Sequence, residues 1–99
     1  MWFTRQLKNK RKKMIEKNKN VLVKTVTLYY LGKVENVDDK FIKLSNASWV
    51  QDTGKRLTDF MQDGFDSTSE IELIGDCLIG LGQVVEITEW KHELPNKQI

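Results

Sequence analysis

The chain is short of the residues that build cross-links and metal cages. It has one cysteine, one histidine and one proline among 99 residues. The lone Cys77 cannot close an internal disulfide, which suits a reducing compartment, and its apolar surroundings mark it as a small core residue. A single histidine (His92) without a cysteine pair leaves no zinc-ligand set, so no metal and no cofactor is expected. Long apolar runs are missing too. No stretch approaches the roughly 20 residues of a membrane-spanning helix, and no apolar h-region follows the first positive charges. The expected location is cytoplasmic, off the membrane. Ser67 and Ser69 lack a spaced base partner, and Gly80-Leu81-Gly82 lacks the rest of a phosphate-binding fingerprint. No catalytic residue is assigned, and the chain is not read as an enzyme.

What is present is charge, divided unevenly. With 39% hydrophobic and 30% charged residues, the composition is that of one small globular domain. A chain of this size has a thin core, and association is a natural way to bury more surface. The net charge of +2 conceals a dipole: residues 1–24 hold nine basic residues and one acid, for +8, and residues 25–99 hold seven basic and thirteen acidic, for −6. Such a basic end attracts nucleic acid, an anionic surface or an acidic partner, or serves simply as a solvated helix.

Residues 2–18 predict a helix. Phe3, Leu7 and Met14 form one apolar stripe, which Ile15 widens, and Asn18 and Asn20 are terminators. From Val21 the pattern is β. The run Val21–Leu31 is rich in Val, Thr, Leu and Tyr, and Val26, Leu28, Tyr30, Gly32 and Val34 alternate along one face. Gly32 marks a bend or a close backbone approach. Asp38-Asp39-Lys40 predicts a turn, and Phe41–Leu44 another strand. A long loop is expected over 46–69, with one or two helical turns at Lys55–Gln62, then strands at Ile71–Ile79 and Gln83–Trp90. The resulting organisation is a basic helix over 1–19, a β domain over 20–90 and an irregular tail over 91–99. Five short strands with a bending glycine suggest a strongly curved antiparallel sheet. Tyr30 is expected inside and Tyr29 outside, His92 in a solvated tail, and Trp2, Trp49 and Trp90 in packing.

A leading helix and five strands, with a variable segment between the third and fourth, resembles the Sm-like family (Sm, LSm and Hfq-type proteins), including its little-characterised bacterial and phage branches. The first motif of that family has its glycine, two apolar positions and aspartate at Gly32, Val34, Val37 and Asp38. The stretch Gly32–Asn46 is similar, without gaps, to that of the bacterial RNA-chaperone type. The second motif is matched by Ile79, the turn from Gly80 to Gln83, Val84 and Ile87. The resemblance implies a mainly β fold in which an N-terminal α-helix precedes a bent, partly open five-stranded barrel. It further implies a homo-oligomeric ring of five to seven subunits, closed by pairing 71–79 of one copy with 84–90 of the next.

The family's base-binding positions fall on Ile42, Gly80 and Leu81, none of which can hydrogen-bond a base or neutralise a phosphate through its side chain. Single-stranded RNA or other nucleic acid is therefore expected on the basic helix, at Arg5, Lys8, Lys10, Arg11, Lys12, Lys13 and Lys17, through salt-dependent phosphate contacts. The alternative is a structural or protein-interaction ring of phage type without nucleic acid. A distant third is a dimeric aspartic protease, from Asp52-Thr53-Gly54. That reading needs two aspartates in a dry interface, and the flanking Gln51 and Lys55 oppose it.

Overall fold

The first strand, β1 (Asn20–Thr25), ends where the Thr25 hydroxyl takes over from the ladder. It donates to the Leu28 carbonyl at 2.8 Å and accepts from the Leu28 amide at 3.2 Å. This local competition closes a turn that splits the Val21–Leu31 run in two. Val26 sits at its tip, 72% exposed, so the alternating face read from Val26 begins only at Tyr30. β2 (Tyr29–Val37) follows. The Asp38 carboxylate then accepts from the amides of Lys40 and Phe41, each at 2.8 Å. These two bonds hold its pKa below the ordinary value and fix the turn into β3 (Phe41–Asp52).

The structure, a computed structural model, describes residues 16–97. Two expectations from the sequence need correction. The loop expected over 46–69 begins only after Asp52, because β3 runs on for twelve residues. Asn46 adopts a left-handed conformation (φ 49) and absorbs a register shift, so pairing with β4 resumes at Ala47. Asn tolerates that region better than most residues. The helix expected over 2–18 lies outside the described residues for 1–15, and its last residues are not helical. Asn18 is left-handed (φ 69), its amide donates to Val34 at 2.7 Å, and Val34 donates back to Lys19. The helix among the described residues is instead α1 (Leu57–Asp63), which follows β3. It lacks a side-chain N-cap, so burial of Phe60 anchors it.

β4 (Glu70–Gly80), a 3-10 turn (Leu81–Gln83) and β5 (Val84–Glu89) complete the chain's regular structure. The sheet is antiparallel throughout, in the order β4-β3-β2-β1-β5. Its two outermost strands are thus the last two in sequence, and they do not pair with each other.

A line of irregularities crosses three neighbouring strands. Gly32 in β2 lies at a register shift with β3, and a Cβ there would stand 3.0 Å from Leu44 Cβ and 3.4 Å from Ala47 Cα. Ala47 pairs with Gly75 of β4, itself left-handed (φ 78) and flanked by register shifts. Bulges bend and twist a strand, so β2, β3 and β4 are creased together. Gly32 sits where a Cβ would press on the Leu44 side chain and crowd the Ala47 backbone.

Alternation puts an apolar cluster on each face. Val21 and Val23 point one way, joining Val34, Ile42, Leu44, Ala47 and Ile79. Leu22 points the other way, joining Leu31, Val50, Phe60, Ile71 and Trp90. Both tyrosines are half-buried, against the expectation of one: Tyr30 packs on the first cluster and Tyr29 on the second. The second face needs a tyrosine because α1 and the segment after β5 roof it.

Candidate functional site

That roof is built by the tail. Trp90 is 3% exposed and meets Phe60 at 5.1 Å, Phe65 at 6.4 Å and His92 at 4.9 Å between ring centroids. Its indole N–H donates to the Glu93 carbonyl at 3.0 Å. His92, expected in solvent, is half-buried: its Nε2 lies 3.0 Å from the Met61 carbonyl, and its own carbonyl accepts from Asn20 Nδ2 at 3.4 Å. A bond to Met61 places a proton on Nε2. Residues 91–97 carry no regular secondary structure, yet they strap α1 to the sheet.

Beside the strap lies a cleft of about 550 Å³ between α1 and the β1–β5 pair. Leu22, Tyr29, Leu57 and Met61 supply its apolar lining, all buried or half-buried. Lys24, Glu86 and Lys91 supply charge, and Thr58, Gln62 and Thr88 neutral polar groups, while Glu89, opposite Val21 in the ladder, turns its side chain to the other face. No motif could have revealed this site, since its residues run from 22 to 92 and meet only through sheet pairing and the strap.

A second feature is the pair of open sheet edges. β4 carries Glu70, Glu72 and Asp76, and β5 carries Glu86 and Glu89, with no basic residue in either strand. Apolar side chains stand out on both: Leu78 is 65% and Val85 59% exposed. Charged side chains on an edge discourage indiscriminate pairing.

The loops flanking α1 form a clasp. Asp66 accepts from the Thr68 hydroxyl, from Lys55 Nζ at 3.0 Å and from the Thr68 amide at 2.8 Å. The hydroxyl first, then the ammonium and the amide, hold its pKa down to about 2. Asp52 is exposed and accepts from the Gly54 amide at 2.8 Å, so Asp52-Thr53-Gly54 forms a turn. Ser69 Oγ donates to the Thr53 carbonyl at 2.9 Å, tying the two loops. Among the described residues no group of three or more His, Cys, Asp or Glu could hold a metal ion.

The residues singled out from the sequence are scattered. Of the basic set, Lys17 is exposed in the turn before β1, while Arg5, Lys8, Lys10, Arg11, Lys12 and Lys13 lie outside the described residues. Ile42 is fully buried, and Gly80 and Leu81 are half-buried at the end of β4. Cys77 packs against the first cluster, where burial and then the charge of Asp76 raise its thiol pKa, opposing a nucleophilic role. Among the described residues no helix is long and apolar enough to cross a membrane.

No family model, no curated protein and no solved structure matches the chain.

Proposed function

We propose that the chain is a non-catalytic, Sm-like ring-forming protein whose basic N-terminal segment engages single-stranded RNA or another nucleic acid. One observation carries this reading: the order β4-β3-β2-β1-β5 leaves the fourth and fifth strands at opposite open edges. A head-to-tail ring of five to seven copies needs two different free edges on one subunit, and cyclic pairing satisfies the unpaired backbone groups of both. The crease through Gly32, Ala47 and Gly75 supports the curvature of a partly open barrel. In such a ring the +8 of residues 1–24 repeats once per subunit. The phosphate contacts then fall to Arg5, Lys8, Lys10, Arg11, Lys12, Lys13 and Lys17, as sequence-tolerant, salt-dependent binding.

A specific observation favours a second reading, an interaction ring that docks on an acidic protein. Ile42 is wholly inside the core and cannot reach a base. Molar mass in solution tests the ring: five to seven times 11.6 kDa is expected, and a monomer at all working concentrations removes it. Filter binding of single-stranded RNA across salt separates the two tasks. The nucleic-acid reading requires affinity that falls steeply with salt and weakens when Lys10, Lys12 and Lys13 become Ala. A stoichiometric protein partner without nucleic acid favours the second reading.

A further inference from the structure

The cleft beside α1 has a composition that neither reading uses. Its apolar side chains come from three elements: Leu22 from β1, Tyr29 from β2, and Leu57 and Met61 from α1. Its volume of about 550 Å³ lies in the range of small-molecule sites, which are apolar with a few convergent polar groups. The charge at its rim is of both signs. Lys24 and Lys91 are cationic, and Glu86 anionic. Lys24 and Glu86 face each other across the β1–β5 ladder. Even so, the ion pairs among the described residues are Lys19–Glu16, Lys43–Glu35, Lys55–Asp66 and Arg56–Asp59, and none of the three rim charges takes part.

This rim selects by charge. A polyanion such as a nucleotide is opposed by Glu86, and a polycation by Lys24 and Lys91. A molecule carrying one charge of each sign is opposed by neither and finds a counter-charge for both. An apolar body on such a molecule would displace water from Leu22, Tyr29 and Met61. We propose that this cleft binds a small zwitterion with an apolar side chain, of the class of a free aliphatic or aromatic amino acid. The carboxylate lies toward Lys24 and Lys91, the ammonium toward Glu86, and the side chain over Leu22 and Met61. Thr58 and Gln62 on the exposed side of α1 close the far wall. The proposal is independent of ring formation.

The test is an amide-shift NMR titration of the full chain with L-leucine. Saturable shifts centred on Tyr29, Thr58, Thr88 and His92, with a midpoint below about 10 mM, are expected. The analogue without the ammonium (4-methylpentanoate) and the one without the carboxylate (3-methylbutylamine) should each bind more weakly. Exposed charge contacts are small, so Lys24→Gln and Glu86→Gln should each weaken leucine by about 2- to 5-fold. Thr58 is exposed, so Thr58→Trp can fill the cleft without entering the core and should abolish the shifts while the circular dichroism spectrum stays unchanged. Absence of saturable shifts up to about 10 mM, equal binding of the two analogues, or undiminished binding to Thr58→Trp would each overturn the proposal.

Discussion

Replacing Trp90 by alanine tests whether the segment after β5 holds the fold. The indole is 3% exposed, within stacking range of Phe60 and Phe65, and donates a hydrogen bond to Glu93. Truncating a buried Phe or Trp to Ala costs about 3–5 kcal/mol through lost burial and the cavity left behind. The indole's hydrogen bond to the Glu93 carbonyl adds about 1 kcal/mol. A domain of this size is stable by about 5–15 kcal/mol, so the substitution removes from about a quarter to all of it. With a urea slope of about 1–3 kcal/mol/M, a loss of about 4 kcal/mol moves the midpoint down by about 1–4 M. Urea unfolding followed by far-UV circular dichroism avoids the loss of the fluorophore.

The damage should also be local. The amides of Phe60 and Gly64, bonded to the carbonyls of Arg56 and Phe60, should lose hydrogen-exchange protection before those of β2 and β3. Trp90→Phe, which keeps an aromatic ring against Phe60, should cost less than half as much. A midpoint within about 0.3 M of the parent for Trp90→Ala, or loss of protection spread evenly over the sheet, would refute the claim that the tail pins α1.

Gly32→Ala places a Cβ 3.0 Å from Leu44 Cβ inside a fully buried cluster and should destabilise by about 1–3 kcal/mol, read as a urea midpoint. Gly54→Ala combines a left-handed backbone (φ 76) with a Cβ driven onto Thr68; a loss of at least about 1 kcal/mol is expected, with the Asp66 clasp opened in NMR spectra. Asp66 has a folded pKa of about 2 against an ordinary 3.8. Its contribution is therefore complete above 3.8 and disappears as pH falls toward 2. Asp66→Asn should flatten the urea-midpoint profile across that window and lower the midpoint at neutral pH, where the contribution is complete. If copies join β4 to β5, five carboxylates without a basic partner in either strand come together. Self-association measured by sedimentation should then strengthen with added salt, whereas RNA affinity weakens, and association that falls with salt would contradict the edge pairing.

The alternation through Tyr30, Gly32 and Val34 and the strand-favouring runs at Val21–Leu31, Phe41–Leu44, Ile71–Ile79 and Gln83–Trp90 determined a mainly β chain, because alternation is a local property that burial on one face then enforces. The Asp38 turn was equally legible, since a carboxylate bonding amides two and three residues on needs nothing distant. Gly32 announced a close approach, although only the neighbouring strand shows that Leu44 and Ala47 cause it. The extension of β3 past Asn46 depends on a matching irregularity at Gly75, nearly thirty residues away. The burial of Trp90 and His92 depends on α1, whose seven residues gave only a weak periodic signal. The cleft likewise has no counterpart in any contiguous stretch, as Lys24 meets Glu86 only through ladder pairing. Local chemistry wrote the strands and turns into the sequence; which strands end at the edges, and which side chains share a pocket, was decided by long-range pairing energies that no window of neighbouring residues contains.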